Sequence, residues 1–599
     1  MSETLTETKT LLKGGEFLVK ESNYNDVFTP EDINEEQQMI IDTVVSFVNT
    51  EIIPVYDRIE HQEPGLTESL LVKAGELGLL GLAIPEEYGG MGKDFNTNSL
   101  LVEYMAKARS FSLSLGAHIG IGTLPIVYFG NEQQKSYYLP KLASGELKAA
   151  YCLTEPSSGS DALGAKTIAT LNAEGTHYIV NGQKMWITNS GFADVFIVFC
   201  QIDGDKFSCL IIEKGMEGLT LGAEEKKMGI KGSSTRQVFL ENVKVPKENL
   251  LGEIGKGHLI AFNILNIGRY KLAAGVLGGS KGALEQSVSY AVERQQFKTP
   301  IASFGAVQYK LAEMATRIYA LQSACYRAAD MIDNKEKELV AEGKKYQEAI
   351  MLAAEEYAIE CSLLKFIGSE VLDYCVDENV QIHGGMGYSE ELSAAGTYRD
   401  ARINRIFEGT NEINRLLSVD MLFKRAMSQK IDIMSPAMAV QKELMSVPDF
   451  SSDADETPLA AEVKAIRHAK KAILMTAGAA AQKLMTKLKT EQEILMNVAD
   501  MLAELYSMES TVLRTQKWIE KSGEAACQTQ IDMTKVFISD AMERLNLHGK
   551  HALQSFAEGD ELRIMLMGLK RFTKYDTFNT KEARRRIAAK VIEVGKYPF

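Results

Sequence analysis

The chain is short of the residues that build metal and disulfide sites. Seven cysteines among 599 residues are scattered from Cys152 to Cys527 with no CxxC pair. That spacing argues against a zinc or iron–sulfur centre and suits a reducing compartment. The eight histidines are equally dispersed, and the closest two, His548 and His551, have no further ligand nearby. No apolar run reaches the length of a membrane span. Positive charge is scarce as well: the formal net charge is -14, which argues against a nucleic-acid partner. The first arginine is Arg58, and acids stand at Glu3 and Glu7. The start therefore reads neither as a secretory signal nor as an Arg-rich mitochondrial presequence, and a cytoplasmic protein is expected. Proline is missing between Pro300 and Pro436, so long helices can form there.

What is present divides the chain by texture. Residues 1–28 are polar with a few apolar anchors and read as an arm lying on the folded body. Thr29-Pro30-Glu31-Asp32 has the signature of a helix start, with Thr as N-cap and Pro at the first position. Helical periods at about 41–52, 66–82, 95–109 and 133–146 make 29–150 an α-helical domain. From 151 to 255 short alternating runs such as Val195-Phe196-Ile197-Val198-Phe199 are separated by turn pairs such as Asn181-Gly182. They read as a compact antiparallel β domain. Helical spacing returns over 256–428 as a bundle. Residues 429–460, with Pro448 and the acidic stretch Ser451 to Pro458, read as a linker, and 461–599 as a further helical domain.

Four stretches carry chemistry. Tyr151-Cys152-Leu153-Thr154-Glu155-Pro156-Ser157-Ser158-Gly159-Ser160-Asp161 offers short donors and backbone N–H groups, as an anion-binding loop or as a capped turn. Met185-Trp186-Ile187-Thr188 sets one of two tryptophans beside a threonine, either to stack on a flat cofactor or to fill the core. Gln381-Ile382-His383-Gly384-Gly385-Met386-Gly387-Tyr388 lets backbone approach a ligand closely. In Arg402-Ile403-Asn404-Arg405-Ile406-Phe407-Glu408-Gly409-Thr410-Asn411, an enclosed Glu408 would have its charged form disfavoured and its pKa raised, as a general base needs. Taken alone this stretch favours a plainer reading, in which Glu408 is the buried partner of Arg402 or Arg405.

In this order and spacing, the four stretches resemble the acyl-CoA dehydrogenase family over roughly 30–425, with the very-long-chain branch the nearest match. The fold implied is mainly α with a central β domain: an α-helical domain, a β-barrel domain and a four-helix bundle, plus the extra C-terminal helical domain. FAD is the implied cofactor. Its implied contacts are Tyr151, Leu153, Thr154, Gly159 and Ser160 in the first loop, then Trp186 and Thr188 at the flavin face, and Thr410 and Asn411 after the base. Arg294, Phe297, Gln381, Gly384 and Gly385 would reach it from a neighbouring subunit. Ser160, Asn266, Arg269, Phe407 and Gly409 are the implied substrate-side residues. The family sets its base either in the motif of Glu408 or just before the arginine matched by Arg269. Gly268 stands at that second position, which leaves Glu408. Two departures from the pattern fall in loops: Gly396 where a basic residue is expected, and Lys298 where glycine is usual.

The resemblance implies α,β-dehydrogenation of acyl-CoA thioesters to trans-2-enoyl products in fatty-acid β-oxidation. Glu408 would take the α-proton and flavin N5 the β-hydride. Electrons would pass to an electron-transfer flavoprotein; an oxidase using oxygen and a non-catalytic scaffold of the same fold are the rivals. Small residues over 110–122, including Gly116 and Gly120, stand for a deep tail channel or for close helix packing. In 461–599 the apolar stripe from Ile466 to Leu488, flanked by Lys464, Arg467, Lys470, Lys471, Lys483 and Lys487, stands for peripheral membrane contact or for packing on the bundle. Arg584-Arg585-Arg586 reads as a solvated face. The extension would cover the surface used for tetramers in shorter relatives, leaving a homodimer.

Overall fold

The computed structural model describes residues 11–444 and 458–599. Glu3, Glu7, Pro448 and the stretch 451–457 lie outside the described residues. Helices dominate, and an eight-stranded sheet interrupts them between residues 149 and 251.

The expected helix start at Thr29 proves to be a single 3-10 turn, Pro30–Asp32, in which the Asp32 carboxylate accepts the Thr29 N–H at 2.8 Å. The first α-helix, Glu35–Phe47, begins one cap later. There Asn34 and Gln37 bond each other's backbone N–H groups, which satisfies two of the orphan donors of a helix end. Two helical stretches, Glu35–Glu60 and Ser110–Phe129, are long and apolar enough to cross a membrane by length and composition alone. That corrects the reading that no run reaches this length. Ser110–Phe129 is largely buried within the protein.

The strands are β1 Ala149–Cys152, β2 Ile168–Leu171, β3 His177–Thr188, β4 Val195–Ile202, β5 Lys206–Glu213, β6 Leu219–Leu221, β7 Thr235–Pro246 and β8 Leu250–Leu251. They pair in the order β6-β7-β3-β2-β4-β5-β8, with β1 added to β4. Both β1 and β2 run parallel to β4, so the sheet is mixed rather than purely antiparallel. The unbroken apolar run of β4 has a physical reason. Val195, Ile197 and Phe199 enter the main core, while Phe196, Val198 and Cys200 enter a second core on the other face, as a strand covered on both sides requires.

The bundle is built on Gly257–Glu293 and Gly305–Ala341, each of 37 residues. Two further helices of the bundle are Tyr346–Glu356 and Ala358–His383. The last helix, Asn411–Met427, starts after the 402–410 loop. Part of the expected linker is helical, Met434–Leu444, with Val440 buried.

The last 140 residues share the bundle's core rather than forming a separate one: a single apolar cluster runs from Leu12 to Tyr597. Arg514 on Gln492–Ser522 bonds Glu31 and Gln322, and Arg415 bridges Glu370 and Asp500. Of the two readings of the C-terminal stripe, membrane contact or packing on the bundle, the stripe follows the second and faces inward. Ile466, Ile473, Ala477, Ala480 and Leu488 are buried, and Lys470 turns in to Glu509 at 2.6 Å. Arg584 is likewise buried, on Glu313 and Asp540, which corrects its reading as solvated. The N-terminal arm packs on the same body: Phe17 meets Tyr506 edge to face, and Gly15 N–H donates to Glu360 at 2.7 Å.

Candidate active site

The stretch around Glu408 cannot continue as helix. A 3-10 turn, Arg402–Arg405, ends at Ile406, and Thr410 caps the next helix by accepting the Ile413 N–H at 3.3 Å. Between them Glu408 and Gly409 both take positive φ, 57° and 80°. Glycine adopts that region freely, whereas a glutamate there is strained by about 1–2 kcal/mol.

Three buried donors hold the strained turn. The Asn414 amide donates to the carbonyls of Glu408, Gly409 and Thr410 at 3.3, 2.9 and 3.0 Å. Lys365 Nζ donates to the Gly409 carbonyl at 2.6 Å and to Asn411 Oδ1 at 2.8 Å. Arg269 donates through Nε to the Glu408 carbonyl at 3.4 Å and through Nη1 to Asn266 at 2.9 Å. Asn266 and Arg269, expected on the substrate side, thus brace the backbone of Glu408. Asn411 is turned inward as well: its amide bonds Lys365, Ser369 and Glu370.

The turn aims the carboxylate at the 257–293 helix where that helix has no side chain. A Cβ on Gly268 would lie 2.8 Å from Glu408 Oε2. Oε2 is buried and has no hydrogen-bond partner. Neither expected arginine pairs with it; Arg405 binds Asp373 at 2.9 Å instead. The ion-pair reading of Glu408 is therefore corrected: burial raises its pKa, and Arg269 and Lys365 oppose that rise without removing it. Burial also pushes the Lys365 ammonium down to about 8.

Glu408, Phe407 and Gly268 lie in the wall of a largely apolar cavity of about 270 Å³, together with Thr188 at the end of β3. The 110–122 stretch serves both of the purposes read for it. Gly116 and Gly120 line the cavity, and a Cβ on either would meet nothing within 4 Å, whereas one on Gly122 would collide with Ala149.

Beside this cavity stands a second surface. The register of β3 on β7 slips between Lys184 and Ile187, and within the slip Trp186 adopts φ 58° and stays 60% exposed. An indole held out at a strained position is no core residue; it offers a face on which a flat ring can stack. The neighbouring loop is tied from below. Glu155 accepts the Lys166 N–H at 2.6 Å and Lys184 Nζ at 2.7 Å, and Thr154 accepts the Met185 N–H at 2.9 Å. Leu153 and Tyr151 are buried beneath, the Tyr151 hydroxyl without a partner, while Gly159 and Ser160 are exposed. Exposed indole, open glycine backbone and short hydroxyls fit a flavin dinucleotide.

The remaining expected cofactor residues lie elsewhere. Arg294 and Phe297 follow the far end of the 257–293 helix, about 39 Å of helical rise from Gly268. Gln381, Gly384 and Gly385 close the 358–383 helix beside them, where Tyr290 stacks on His383 with centroids 4.2 Å apart. Both departures from the motif pattern have local consequences. Phe297 and Lys298 form a two-residue hairpin turn with φ 52° and 63°, a conformation that favours glycine. At Gly396 the missing cation is supplied by Arg109, whose Nη2 lies 2.5 Å from where a Cβ would sit and which binds Asp400 at 2.7 Å. Sequence reasoning missed Lys365, Asn414 and Arg109. A lysine inside the apolar run Leu363-Leu364-Lys365-Phe366 was the one available signal.

Known proteins share this arrangement. Sequence models described as the acyl-CoA dehydrogenase N-terminal and middle domains match residues 34–146 and 150–243. Two models described as the acyl-CoA dehydrogenase C-terminal domain match 255–422 and 468–571. A probable acyl-CoA dehydrogenase of Bacillus subtilis is 50% identical over 585 residues, 98% of each chain. The very long-chain specific mitochondrial acyl-CoA dehydrogenase of Homo sapiens is 39% identical over 398 residues, 65% of this chain and 58% of that one. A crystal structure of an acyl-CoA dehydrogenase complexed with FAD from Bacillus anthracis superposes with a TM-score of 0.96 at 51% identity, covering 98% of this chain and 100% of that one.

Proposed function

The chain belongs to the acyl-CoA dehydrogenase family, and from that premise we propose that it converts long-chain acyl-CoA thioesters to trans-2-enoyl-CoA with Glu408 as the base. It is an FAD-dependent enzyme of that family. The observation that carries the proposal is the unbonded, buried Oε2 of Glu408 at the wall of an apolar cavity.

The acyl tail lies in the cavity between Gly116, Gly120 and the 257–293 helix, which excludes water from the reacting carbons. Glu408 takes the α-proton. Its enclosure disfavours the anion and so strengthens its hold on a proton, while Arg269 and Lys365 limit that rise. Trp186, Thr188 and the 153–160 loop would hold FAD, which when bound supplies the two-electron acceptor for the β-carbon.

Arg294, Phe297, Gln381, Gly384 and Gly385 sit too far from Glu408 to serve the same cofactor within one chain. We place them on the FAD of a second copy, in a homodimer. A monomer in solution that retained flavin and turned over would overturn that assignment. We further assign the enzyme to fatty-acid β-oxidation in the cytoplasm, with an electron-transfer flavoprotein as acceptor. The seven cysteines, all unpaired and buried, suit a reducing compartment.

Anaerobic addition of palmitoyl-CoA and butyryl-CoA to the purified flavoprotein tests the reaction. The flavin should bleach, and Glu408→Gln should slow bleaching by about 10²–10⁴-fold with flavin still bound. Persistence of fast bleaching in that variant would remove Glu408 from its role.

A further inference from the structure

One charged side chain in the tail cavity is used by nothing described above. On the 257–293 helix, Gly268, Lys271, Gly275 and Gly279 follow one another at spacings of three, four and four, and all four line the cavity. They share a face of the helix. Three of them remove their side chains from the tail's path; the fourth adds an ammonium. Lys271 stands one turn beyond Gly268, about 4.5 Å of helical rise from the point where Glu408 is aimed.

Apart from Glu408 and Thr188, which face the reacting end, the other polar side chains of the cavity have partners. Arg109 binds Asp400, whose second oxygen accepts the Ile230 N–H at 2.5 Å. The Thr397 hydroxyl donates to the Ser393 carbonyl, the Ser112 hydroxyl to the Arg109 carbonyl and the Asn404 amide to the Ala401 carbonyl. Lys271 has neither a hydrogen bond nor an ion pair among the described residues, and burial, unopposed by any facing carboxylate, pushes its ammonium down to about 8. An ammonium half-buried in an apolar cavity and left unpaired is costly unless something arrives to pair it. For an alkyl tail alone it would be an obstacle.

We propose that Lys271 is a specificity-determining residue, and that the cavity accepts acyl-CoA thioesters whose chain ends in a carboxylate several methylenes beyond the reacting carbons. The bound carboxylate pairs with the Lys271 ammonium one turn past Glu408, and the glycines on either side leave room for its methylenes. This selectivity rests on the dehydrogenase reading given above and names its substrate class.

The test compares kcat/KM of the FAD-loaded enzyme for the mono-CoA esters of adipic, suberic, sebacic and dodecanedioic acids with that for the matching hexanoyl-, octanoyl-, decanoyl- and lauroyl-CoA. The ratio of diacid to plain ester should peak at one length in the wild type. It should fall there by about tenfold or more in Lys271→Met, while Lys271→Arg keeps part of it. The ratio is read within each variant, so a general loss of activity does not disturb it. Lys271→Gln carries the same comparison if the methionine variant fails to retain flavin. A ratio that is flat with length and equal in wild type and variants would overturn the proposal, with turnover of butyryl-CoA showing that the dehydrogenase reading stands. Failure of every ester, butyryl-CoA included, would overturn both.

Discussion

Glu408 is a carboxylate kept short of partners on purpose of its surroundings: burial raises its pKa, and two cations limit the rise. A base must be ionised to act, so kcat/KM should climb with pH through the raised value. The acidic limb of the pH–rate profile should therefore lie above the ordinary glutamate value of 4.5. Lys365→Met removes one of the two opposing charges and should move that limb further up, which the same profile would detect. A limb left where it was would mean that Lys365 acts on the turn alone. Glu408 itself was legible from its motif. Its unpaired state was not, because Arg402 and Arg405 are near in sequence while Asp373, which takes Arg405, lies on another helix.

The turn from Ile406 to Thr410 is an element without hydrogen bonds of its own to hold positive φ at Glu408, so its stability is borrowed. Asn414 supplies most of it, by capping three successive carbonyls. Asn414→Leu would take one donor from each of those carbonyls, leaving them to Arg269, Lys365 and the residue-414 backbone N–H. We expect a loss of about 1–3 kcal/mol in urea unfolding, together with a fall in kcat as the carboxylate loses its aim. A variant that unfolded like the wild type would show that water replaces the amide. The 295–300 hairpin shows the converse case. Phe297 and Lys298 hold positive φ with no such brace, and the strain there is visible in the sequence as a glycine that is missing.

The whole molecule is sewn together by buried ion pairs between segments far apart in the chain. Arg514, 1% exposed, reaches Glu31 at 2.6 Å across more than 480 residues of sequence. Burial pushes the Glu31 pKa up, and the Arg514 charge overrides it, leaving the carboxyl below 4.5. Stability from this pair is present above the unfolded pKa and lost as pH falls through the folded one. Arg514→Met would leave Glu31 without its cation and should cost about 3–5 kcal/mol near neutral pH, with a smaller difference in acid. Urea melts at two pH values would measure this; an equal loss at both would assign the effect to packing. The arm, the bundle and the last 140 residues share one core, so the loss should appear in a single transition rather than in the extension alone.

The sequence by itself determined what is local or motif-bound: the helix–sheet–helix order, the enclosed turn at Glu408, the 151–161 loop and the Trp-Ile-Thr strand. Period, turn residues and short motifs all act over a few neighbours, and a chain carries them wherever it folds. Only the tertiary structure decided which charges met. It gave Arg405 to Asp373 rather than Glu408, moved Arg109 into the space left open at Gly396, and turned the C-terminal apolar stripe into core. It also left Lys271 alone in the cavity. Electrostatic partners are set by distance in space, and in this fold those distances are closed between helices hundreds of residues apart.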